Sequence, residues 1–136
     1  MTDDALEEFL AEDPGGPVIM LNLLRYVPDT GRADYLAYIA HTQTISGRYG
    51  TEPLFWGDGR TPLVTDDEQV WDSVLLVRYP SRQAFADMMG DPAHLAGAHL
   101  RTRTRTRTRA LVAAVLQPTD QRLARPTPAG PGEGNP

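Results

Sequence analysis

The sequence predicts an α+β fold, a ferredoxin-like βαββαβ sandwich in which an antiparallel four-stranded sheet carries helices on one face. Three observations predict it. Short apolar segments alternate with segments of helical periodicity in the order strand, helix, strand, strand, helix, strand. Turn residues such as Pro, Gly and Asp separate these segments. The strands are too apolar to leave a sheet face in water, so we expect two copies to pair as a homodimeric α/β barrel.

The composition indicates a single acidic, globular domain. The chain has 136 residues, of which 40% are hydrophobic and 23% charged, enough for one modest core. Its formal net charge is −5, and all 13 basic residues are arginine. Proteins dedicated to nucleic acids usually carry the opposite charge balance, because neutralised phosphates supply most of their affinity. Nucleic acid is therefore not the expected partner.

The sequence carries no cysteine and no membrane signal. The absence of cysteine excludes disulfides, thiol nucleophiles and cysteine metal sites. The first residues, MTDDALEEFLAEDPGG, are acidic where a secretory signal is basic, and no apolar run approaches the roughly 20 residues that span a bilayer. We therefore expect a cytoplasmic protein that has no membrane partner.

The start of the chain predicts a helix and a buried strand. Residues 2–13 carry Leu6, Phe9 and Leu10 at helical spacing, and the triplet PGG then ends the helix. The nearly continuous apolar run Val18–Leu24, which lies between two prolines, is typical of a strand buried on both faces.

The middle of the chain predicts a helix and two strands. Large side chains at helical spacing favour a helix from residue 33 to Gly50. The stretch TEPLFWGDG, residues 51–59, predicts a second strand closed by a glycine-rich turn. The long, branched and aromatic run Val70–Tyr79 predicts the third strand.

The last third of the chain predicts a broken helix, a strand and a tail. Ser81 is a suitable helix cap, the triplet GDP interrupts the helix, and Asp91 and Pro92 can restart it. The stretch ALVAAVLQP at 110–118 predicts the fourth strand, and the Pro- and Gly-rich residues beyond it predict disorder. The predicted organisation is a helical extension (1–16), a dimeric α/β-barrel domain (17–117) and a disordered tail (118–136).

An alternating run, RTRTRTRTR, fills Arg101 to Arg109 and holds five of the 13 basic residues. In a helix this alternation would scatter the arginines over all sides, whereas in a strand it places every Arg on one face and every Thr on the other. Because an apolar strand follows directly, we expect a helix tail, a turn and then the solvated start of strand four. Phosphate binding, an anionic small-molecule contact and an ion-paired dimer edge stay open as alternatives, although the run lacks interleaved aromatic residues.

Four polar side chains are candidates for acid–base chemistry. His41 lies on the predicted helix beside its inward stripe, and histidine carries protons near neutral pH. Asn22 lies inside the buried strand, where an amide without a hydrogen bond costs about 1–3 kcal/mol. We expect His41 to act as the base, and Asn22, with Tyr38 or Arg25, to stabilise an oxyanion. The structural alternatives are a partly exposed helix histidine and an amide that clamps neighbouring backbone.

Aromatic and sulfur side chains predict the wall of an apolar pocket. Such a set makes a large and adaptable surface around a flat substrate. The expected substrate-binding residues are Tyr35, Trp56, Trp71, Phe85, Met88 and Met89. The alternative is that these residues only form the core, as aromatic residues among aliphatic ones more often do.

The sequence predicts no metal site and no cofactor. His94 and His99 are five residues apart on a predicted helix, which misses the i, i+4 spacing of helical metal sites. No glycine-rich phosphate loop is present. A lone histidine can hold a haem, but no feature of the sequence selects one.

Four stretches of the sequence together resemble a known family: VIMLNLLRY, YLAYIAHT, WDSVLLVRYPSRQAF and DPAHL. They resemble the family catalogued as domain of unknown function 1330, in the dimeric α/β-barrel superfamily. The resemblance covers about residues 17 to 117. It implies a ferredoxin-like fold that pairs sheet to sheet, with a pocket between the sheet and the helices of each protomer. Relatives in that superfamily include cofactor-independent monooxygenases, polyketide cyclases, isomerases and haem-dependent members. The Arg-Thr run, the tail and the N-terminal helix depart from the family pattern.

Together these observations predict a small cofactor-independent enzyme that acts on an apolar, oxygenated small molecule such as a polyketide-like intermediate. The expected reaction is acid–base chemistry: cyclisation, isomerisation, or enolate formation followed by oxygenation. Two other functions stay open, namely a non-catalytic module that binds or senses a small molecule, and nucleic-acid binding through the Arg-Thr run.

Overall fold

The computed structural model describes residues 2–65, 70–103 and 111–119, and within them it has a four-stranded antiparallel sheet with helices on one face. A single turn of 3-10 helix, Gly47–Tyr49, follows the second helix. The elements are α1 (Asp3–Ala11), β1 (Val18–Leu24), α2 (Gly31–Ser46), β2 (Glu52–Asp58), β3 (Ser73–Tyr79), α3 (Arg82–Gly90), α4 (Pro92–Ala96), α5 (Ala98–Arg103) and β4 (Leu111–Leu116).

The strand order β2-β3-β1-β4 is that of the βαββαβ sandwich, and the predicted fold class is confirmed. β1 lies between β3 and β4, with Val18 opposite Tyr79 and Ile19 opposite Leu116. Because it has a neighbour on each side and helices above it, its ends are inaccessible: Val18 is 0% and Leu24 is 1% exposed.

Strand alternation divides the sheet into two different faces. On β1, Met20 and Asn22 face the helices, whereas Leu21 and Leu23 face away from them. A row of cross-strand neighbours crosses the outer face through all four strands: Phe55, Leu76, Leu21 and Ala114. Both faces are therefore apolar, and the described helices cover only one of them.

Two clusters of buried side chains fill the space between the sheet and the helices. The first consists of Phe9, Val18, Met20, Tyr79 and Met88. The second consists of Leu24, Tyr35, Tyr38 and Leu75. The tyrosines of α2 and the methionines of α3 therefore belong to different halves of the core.

The N-terminal helix α1 is held on the sandwich by a buried arginine. Phe9 is the buried residue of α1, and its ring meets Phe85 of α3 edge to face. Arg82 is 6% exposed; its Nη1 donates to the Phe9 carbonyl at 2.7 Å and its Nη2 donates to Gln117 Oε1 at 3.2 Å. A cation near the carbonyl end of a helix also interacts favourably with the helix dipole. One guanidinium thus joins α1, α3 and the end of β4.

The broken helix expected after strand three is confirmed. α3 ends at Gly90, and Asp91 caps α4 by accepting a hydrogen bond from the Ala93 amide at 2.8 Å. α5 includes Arg101 to Arg103, so the Arg-Thr run begins as the predicted helix tail. The rest of the run, and the predicted disordered tail from residue 120 onward, lie outside the described residues.

The third strand is shorter than the sequence predicts. It begins at Ser73 rather than at Val70. The Asp72 carboxylate accepts a hydrogen bond from the Tyr26 amide at 2.8 Å, and the Asp72 amide donates to the Leu24 carbonyl at 2.7 Å. Trp71 therefore precedes the strand and does not belong to its alternating pattern.

Candidate functional site

A cavity of about 150 Å³ lies between the helix-facing side of the sheet and helices α2 and α3. Its apolar and aromatic lining consists of Met20, Tyr35, Tyr38, Ile39, Pro53, Leu75, Val77, Tyr79, Phe85, Met88, Met89 and Ala113. Its polar lining consists of Asn22, Thr42, Gln43, Ser46 and Thr51. None of these lining residues carries a formal charge at neutral pH.

The periodicity of α2 places its polar and aromatic side chains on the same wall. Tyr35, Tyr38, Thr42 and Ser46 follow one another at intervals of three or four residues, which places them along one side of a helix. The Thr42 hydroxyl donates to the carbonyl of Ile39 at 2.9 Å, within its own helix. The wall opposite α2 is the sheet, where period-two alternation brings Asn22 into the cavity.

Asn22 is the polar group on the sheet side of the cavity. Its Nδ2 donates to the Leu75 carbonyl of the neighbouring strand at 3.3 Å. This bond uses one of the two amide N–H groups, so a second N–H and the Oδ1 oxygen stay available to a bound molecule. The clamp on backbone and the ligand contact, which the sequence leaves as alternatives, are compatible at this residue.

A buried tyrosine–histidine pair closes the α2 side of the cavity. The Tyr38 hydroxyl lies 3.1 Å from His94 Nε2, and the two rings meet edge to face with centroids 6.0 Å apart. Tyr38 is 7% and His94 is 4% exposed. Tyr38 lines the cavity and His94 does not, so this hydrogen bond joins a lining residue to a buried histidine.

The start of α4 fixes the position of His94. The Asp91 carboxylate accepts hydrogen bonds from the Tyr49 hydroxyl at 2.5 Å and from the Ala93 amide at 2.8 Å. His41 Nε2 donates to the Ala93 carbonyl at 2.6 Å from the α2 side. These hydrogen bonds hold the start of α4 from two sides, and the last of them is at Ala93, the residue before His94.

A glycine makes room for the His41 ring. A Cβ atom at Gly97 would lie 2.3 Å from Cδ2 of His41, which is closer than real Cβ atoms approach. The helix that carries His94 can approach α2 only because this residue has no side chain.

The same hydrogen bonds perturb two ionisable groups at the start of α4. The hydrogen bond from Tyr49, followed by that from the Ala93 amide, holds the pKa of Asp91 below its ordinary value. The bond raises the pKa of the Tyr49 hydroxyl, which donates to the carboxylate. Asp91 thus stays ionised to lower pH than a free carboxylate does.

Asp58, at the end of β2, pairs with Arg32 of α2, and neither charged side chain lines the cavity. Asp58 accepts hydrogen bonds from the Ser73 hydroxyl at 2.8 Å and from Arg32 Nη1 at 3.0 Å. These two bonds, in that order, lower the pKa of Asp58. Burial raises the pKa of the neighbouring Tyr26 hydroxyl.

The cavity brings together part of the predicted site. Six residues that the sequence proposes for the site line it: Asn22, Tyr35, Tyr38, Phe85, Met88 and Met89. Four others do not belong to the lining: Arg25, His41, Trp56 and Trp71.

Each of these four residues has a defined position elsewhere. Arg25 donates to the Val70 carbonyl at 2.7 Å and lies over the Trp71 ring, 5.3 Å from its centroid. Trp56 stacks on the outer side of Tyr35, with centroids 5.6 Å apart and planes 16° apart. His41 holds the backbone of α4 instead of facing the cavity.

Sequence reasoning missed His94. It lies 56 positions from Tyr38 in the chain. Its spacing to His99 argues only against a metal site. No periodicity links α4 to α2, because the contact depends on the helix break at Asp91 and on the space left by Gly97. A histidine that closely follows an Asp-Pro helix start was the one signal in the sequence.

Two absences hold for the part of the chain that the structure describes. Residues 2–65, 70–103 and 111–119 contain no group of three His, Asp or Glu side chains arranged to hold a metal ion. In these same ranges no helix has both the length and the apolar character needed to cross a membrane.

Comparison with solved structures shows the same fold in proteins of several organisms. A protein of unknown function from Rhodopseudomonas palustris is 28% identical, over 88% of this chain and 95% of that chain, with a TM-score of 0.77. A dimeric ferredoxin-like protein of unknown function from Jannaschia sp. CCS1 is 12% identical, over 75% and 99%, with a TM-score of 0.58. The hydroxynitrile lyase from Passiflora edulis is 16% identical, over 76% and 94%, with a TM-score of 0.57.

Sequence comparison adds no family. No protein-family model matches the chain, and no curated protein matches it. The structural similarities establish a ferredoxin-like fold, whereas the resemblance to domain of unknown function 1330 is not confirmed by a family model.

The lowered pKa of Asp91 predicts an acid-dependent loss of stability. A carboxyl group whose pKa is lower in the folded state stabilises the fold above its unfolded pKa, near 3.8, and this contribution disappears as pH falls through the folded value. Asp91→Asn cannot titrate, so the stability advantage of the wild type over this variant should be constant near neutral pH and shrink below pH 3.8. Urea unfolding at a series of pH values measures it.

The matched control for this effect is Tyr49→Phe, which removes the hydroxyl donor but keeps the carboxylate. The larger part of the acid-dependent difference should vanish in that variant, because the Tyr49 bond is the main cause of the lowered pKa. An advantage over Asp91→Asn that is equal at acidic and neutral pH would contradict this account of the α4 cap.

Proposed function

We propose that this protein is a small cofactor-independent enzyme that performs acid–base chemistry on an apolar, oxygenated small molecule bound in the cavity. The observation that carries the proposal is the 3.1 Å contact between the hydroxyl of Tyr38, a residue that lines the cavity, and the buried His94. A base or acid must lie within hydrogen-bond reach of the group it serves, and this pair combines that reach with shielding from water.

In the proposed step, Tyr38 and His94 act as one base. The Tyr38 oxygen accepts a proton from a carbon next to a carbonyl group, while the hydroxyl proton of Tyr38 moves to His94 Nε2. The substrate becomes an enolate and the histidine becomes an imidazolium. Return of a proton along this path restores the pair: delivery to another carbon completes an isomerisation, and delivery to the same carbon, after the pair has traded its protons with solvent, completes an exchange.

Asn22 has the complementary role on the opposite wall. Its second amide N–H would donate to the carbonyl oxygen, on which negative charge develops as the enolate forms. A positioned base contributes about 10²–10⁴-fold to a rate, and one oxyanion donor about 10²–10³-fold. The two groups together are enough for a modest enzyme without a metal or a cofactor.

His41 and Arg25 are positioning residues in this proposal. His41 holds the backbone of α4 through its hydrogen bond to the Ala93 carbonyl and therefore positions His94. In this proposal His94, and not His41 as the sequence suggests, acts with Tyr38 as the base. Arg25 directly follows β1; it donates to the Val70 carbonyl and lies over the Trp71 ring. Trp56 supports Tyr35 from outside the cavity.

We propose a family for this protein from its sequence. The stretches VIMLNLLRY and WDSVLLVRYPSRQAF support a place in the family of domain of unknown function 1330, and they supply Asn22, β1 and β3. Cyclisation, isomerisation and oxygenation of a polyketide-like compound all begin with the enolate step described above. One of the solved structures with this fold is a lyase, the Passiflora edulis hydroxynitrile lyase.

We propose further that two copies pair through the outer face of the sheet. This face carries Ile19, Leu21, Leu23, Phe55, Val74, Leu76, Ala114 and Leu116. Phe55 is 54% and Leu116 is 42% exposed in the single chain. An apolar patch of this kind marks an interface, and the Jannaschia protein of the same fold is described as dimeric.

If two copies pair through the outer face, a variant that disrupts this face should have the mass of a monomer in solution. Leu76→Arg places a charge in the middle of the cross-strand row, where it would be buried without a partner in the interface. We expect the wild type to sediment at twice the chain mass of 15.0 kDa and the variant to sediment as a monomer. The control variant is Leu36→Arg, because Leu36 lies on α2 and is 49% exposed; it should stay dimeric. A wild-type monomer at micromolar concentration would refute the proposed pairing.

The acid–base role predicts the loss of proton exchange in two conservative variants. In heavy water the wild type should accelerate deuterium exchange next to the carbonyl of small ketones, followed by NMR. Tyr38→Phe and His94→Gln should each lower that acceleration by roughly 100-fold, because each one breaks the proton path. Binding of the ketone should persist in both variants.

The matched controls are Tyr26→Phe and His99→Gln, whose side chains lie outside the cavity lining. Both should exchange at the wild-type rate. If Tyr38→Phe and His94→Gln also exchange at that rate, the assignment of the base is wrong. Binding without any exchange in the wild type would identify a non-catalytic binding module instead.

A further inference from the structure

We infer that the cavity takes an uncharged compound with a single ring and one carbonyl oxygen, the class of simple aryl ketones. This inference rests on the proposed use of the cavity as a binding site, and it narrows the ligand from any apolar, oxygenated molecule. Three properties of the described lining carry it: its volume, its lack of charge and its unused hydrogen-bond donor.

The volume sets the size of the ligand. An engineered protein cavity of about 150 Å³ with an apolar lining binds benzene, and the cavity in this protein has about the same volume. Met88 and Met89 can adjust to substituents, because the methionine side chain is unbranched and flexible. A second fused ring exceeds a volume of this size. The polyketide-like compound considered above therefore fits only as a one-ring compound.

The charge of the lining excludes a buried anion. No Asp, Glu, Arg or His belongs to the described residues that line the cavity. The nearby cations have other partners: Arg82 donates to Phe9 and Gln117, and Arg32 pairs with Asp58. A carboxylate placed here would lose its hydration without gaining a counter-ion, which costs several kcal/mol. An uncharged carbonyl compound avoids this cost, so the cavity should bind it in preference to a carboxylate.

The hydrogen-bond inventory sets the functional group. The Thr42 hydroxyl donates to Ile39, and the Thr51 hydroxyl donates to Met88 Sδ at 3.3 Å. The Tyr38 hydroxyl is paired with His94. Asn22 keeps its second N–H, so the cavity offers a donor on the sheet side, and the ligand should present an acceptor to it. A carbonyl oxygen on a ring satisfies this donor, whereas the polar groups of Gln43 and Ser46 belong to α2, on the wall opposite the sheet.

The experiment compares four probes of matched shape on the full chain. Acetophenone has the proposed ring and carbonyl, benzoate adds a negative charge, ethylbenzene lacks the oxygen and 2-acetonaphthone adds a ring. Three of the four methionines line the cavity, so 13C-methyl labelling of methionine reports binding at the site itself. Titrations followed by NMR then give a dissociation constant for each probe.

We expect acetophenone to bind at least tenfold more tightly than benzoate and than 2-acetonaphthone, with shifts at the methionine methyl signals. Ethylbenzene should bind more weakly than acetophenone in the wild type. In Asn22→Leu, which has a similar volume but no donor, the affinity for acetophenone should fall to that for ethylbenzene, and ethylbenzene should bind as before. Retained ethylbenzene binding shows that the variant still folds.

Several results would overturn the inference, and the wild-type series decides most of them without any variant. Benzoate binding as tightly as acetophenone refutes the neutral class, and tighter binding of 2-acetonaphthone refutes the single ring. Equal affinity for acetophenone and ethylbenzene, or an unchanged preference in Asn22→Leu, refutes the carbonyl contact. Binding of none of the probes refutes all three.

Failure of the proposed function can be distinguished from failure of the proposed ligand class. If acetophenone binds as expected and no ketone exchanges protons, the ligand class stands and the enzyme does not. If larger or charged carbonyl compounds exchange protons while acetophenone does not bind, the enzyme stands and this ligand class does not.

Discussion

The central strand β1 is apolar on both of its faces, and neither face can be left in water. Toward the helices, Met20 and Leu24 join the two buried clusters; away from them, Leu21 and Leu23 continue the apolar rows of the neighbouring strands. Burial of apolar surface dominates the free energy of folding, so this strand determines what must cover the sheet. The helices cover one side, and we propose that a second copy covers the other.

The cavity results from how the helices cover their side. The tyrosines of α2 and the methionines of α3 pack on different halves of the sheet, and the space between them stays open around Asn22. The break at Asp91 then turns the chain back toward α2 and brings His94 behind Tyr38. A mostly apolar cavity with a few polar groups and a tyrosine–histidine pair is the outcome, and its proposed chemistry follows from Asn22 and that pair.

The sequence predicts the parts of this structure that depend on local periodicity. The fold class, the helix break and the inward positions of Tyr35, Tyr38, Met88 and Met89 all follow from spacing within one element. It does not predict His94 or the true position of His41, because these depend on how α4 crosses α2. It places Trp71 on a strand because the run from Val70 is apolar, whereas the hydrogen bonds of Asp72 delay the start of β3 to Ser73.

The proposed functions require an apolar space beneath the helices that side chains do not fill, and xenon binding tests for this space most directly. Xenon binds dry apolar cavities of this size through dispersion alone, so it reports the space without any assumption about the ligand. Crystals kept under xenon pressure should show a xenon atom between Met20, Leu75 and Met88 in every copy of the chain. Density in which Phe85 or the methionines occupy that space, with no xenon bound, would contradict the cavity and the functions proposed for it.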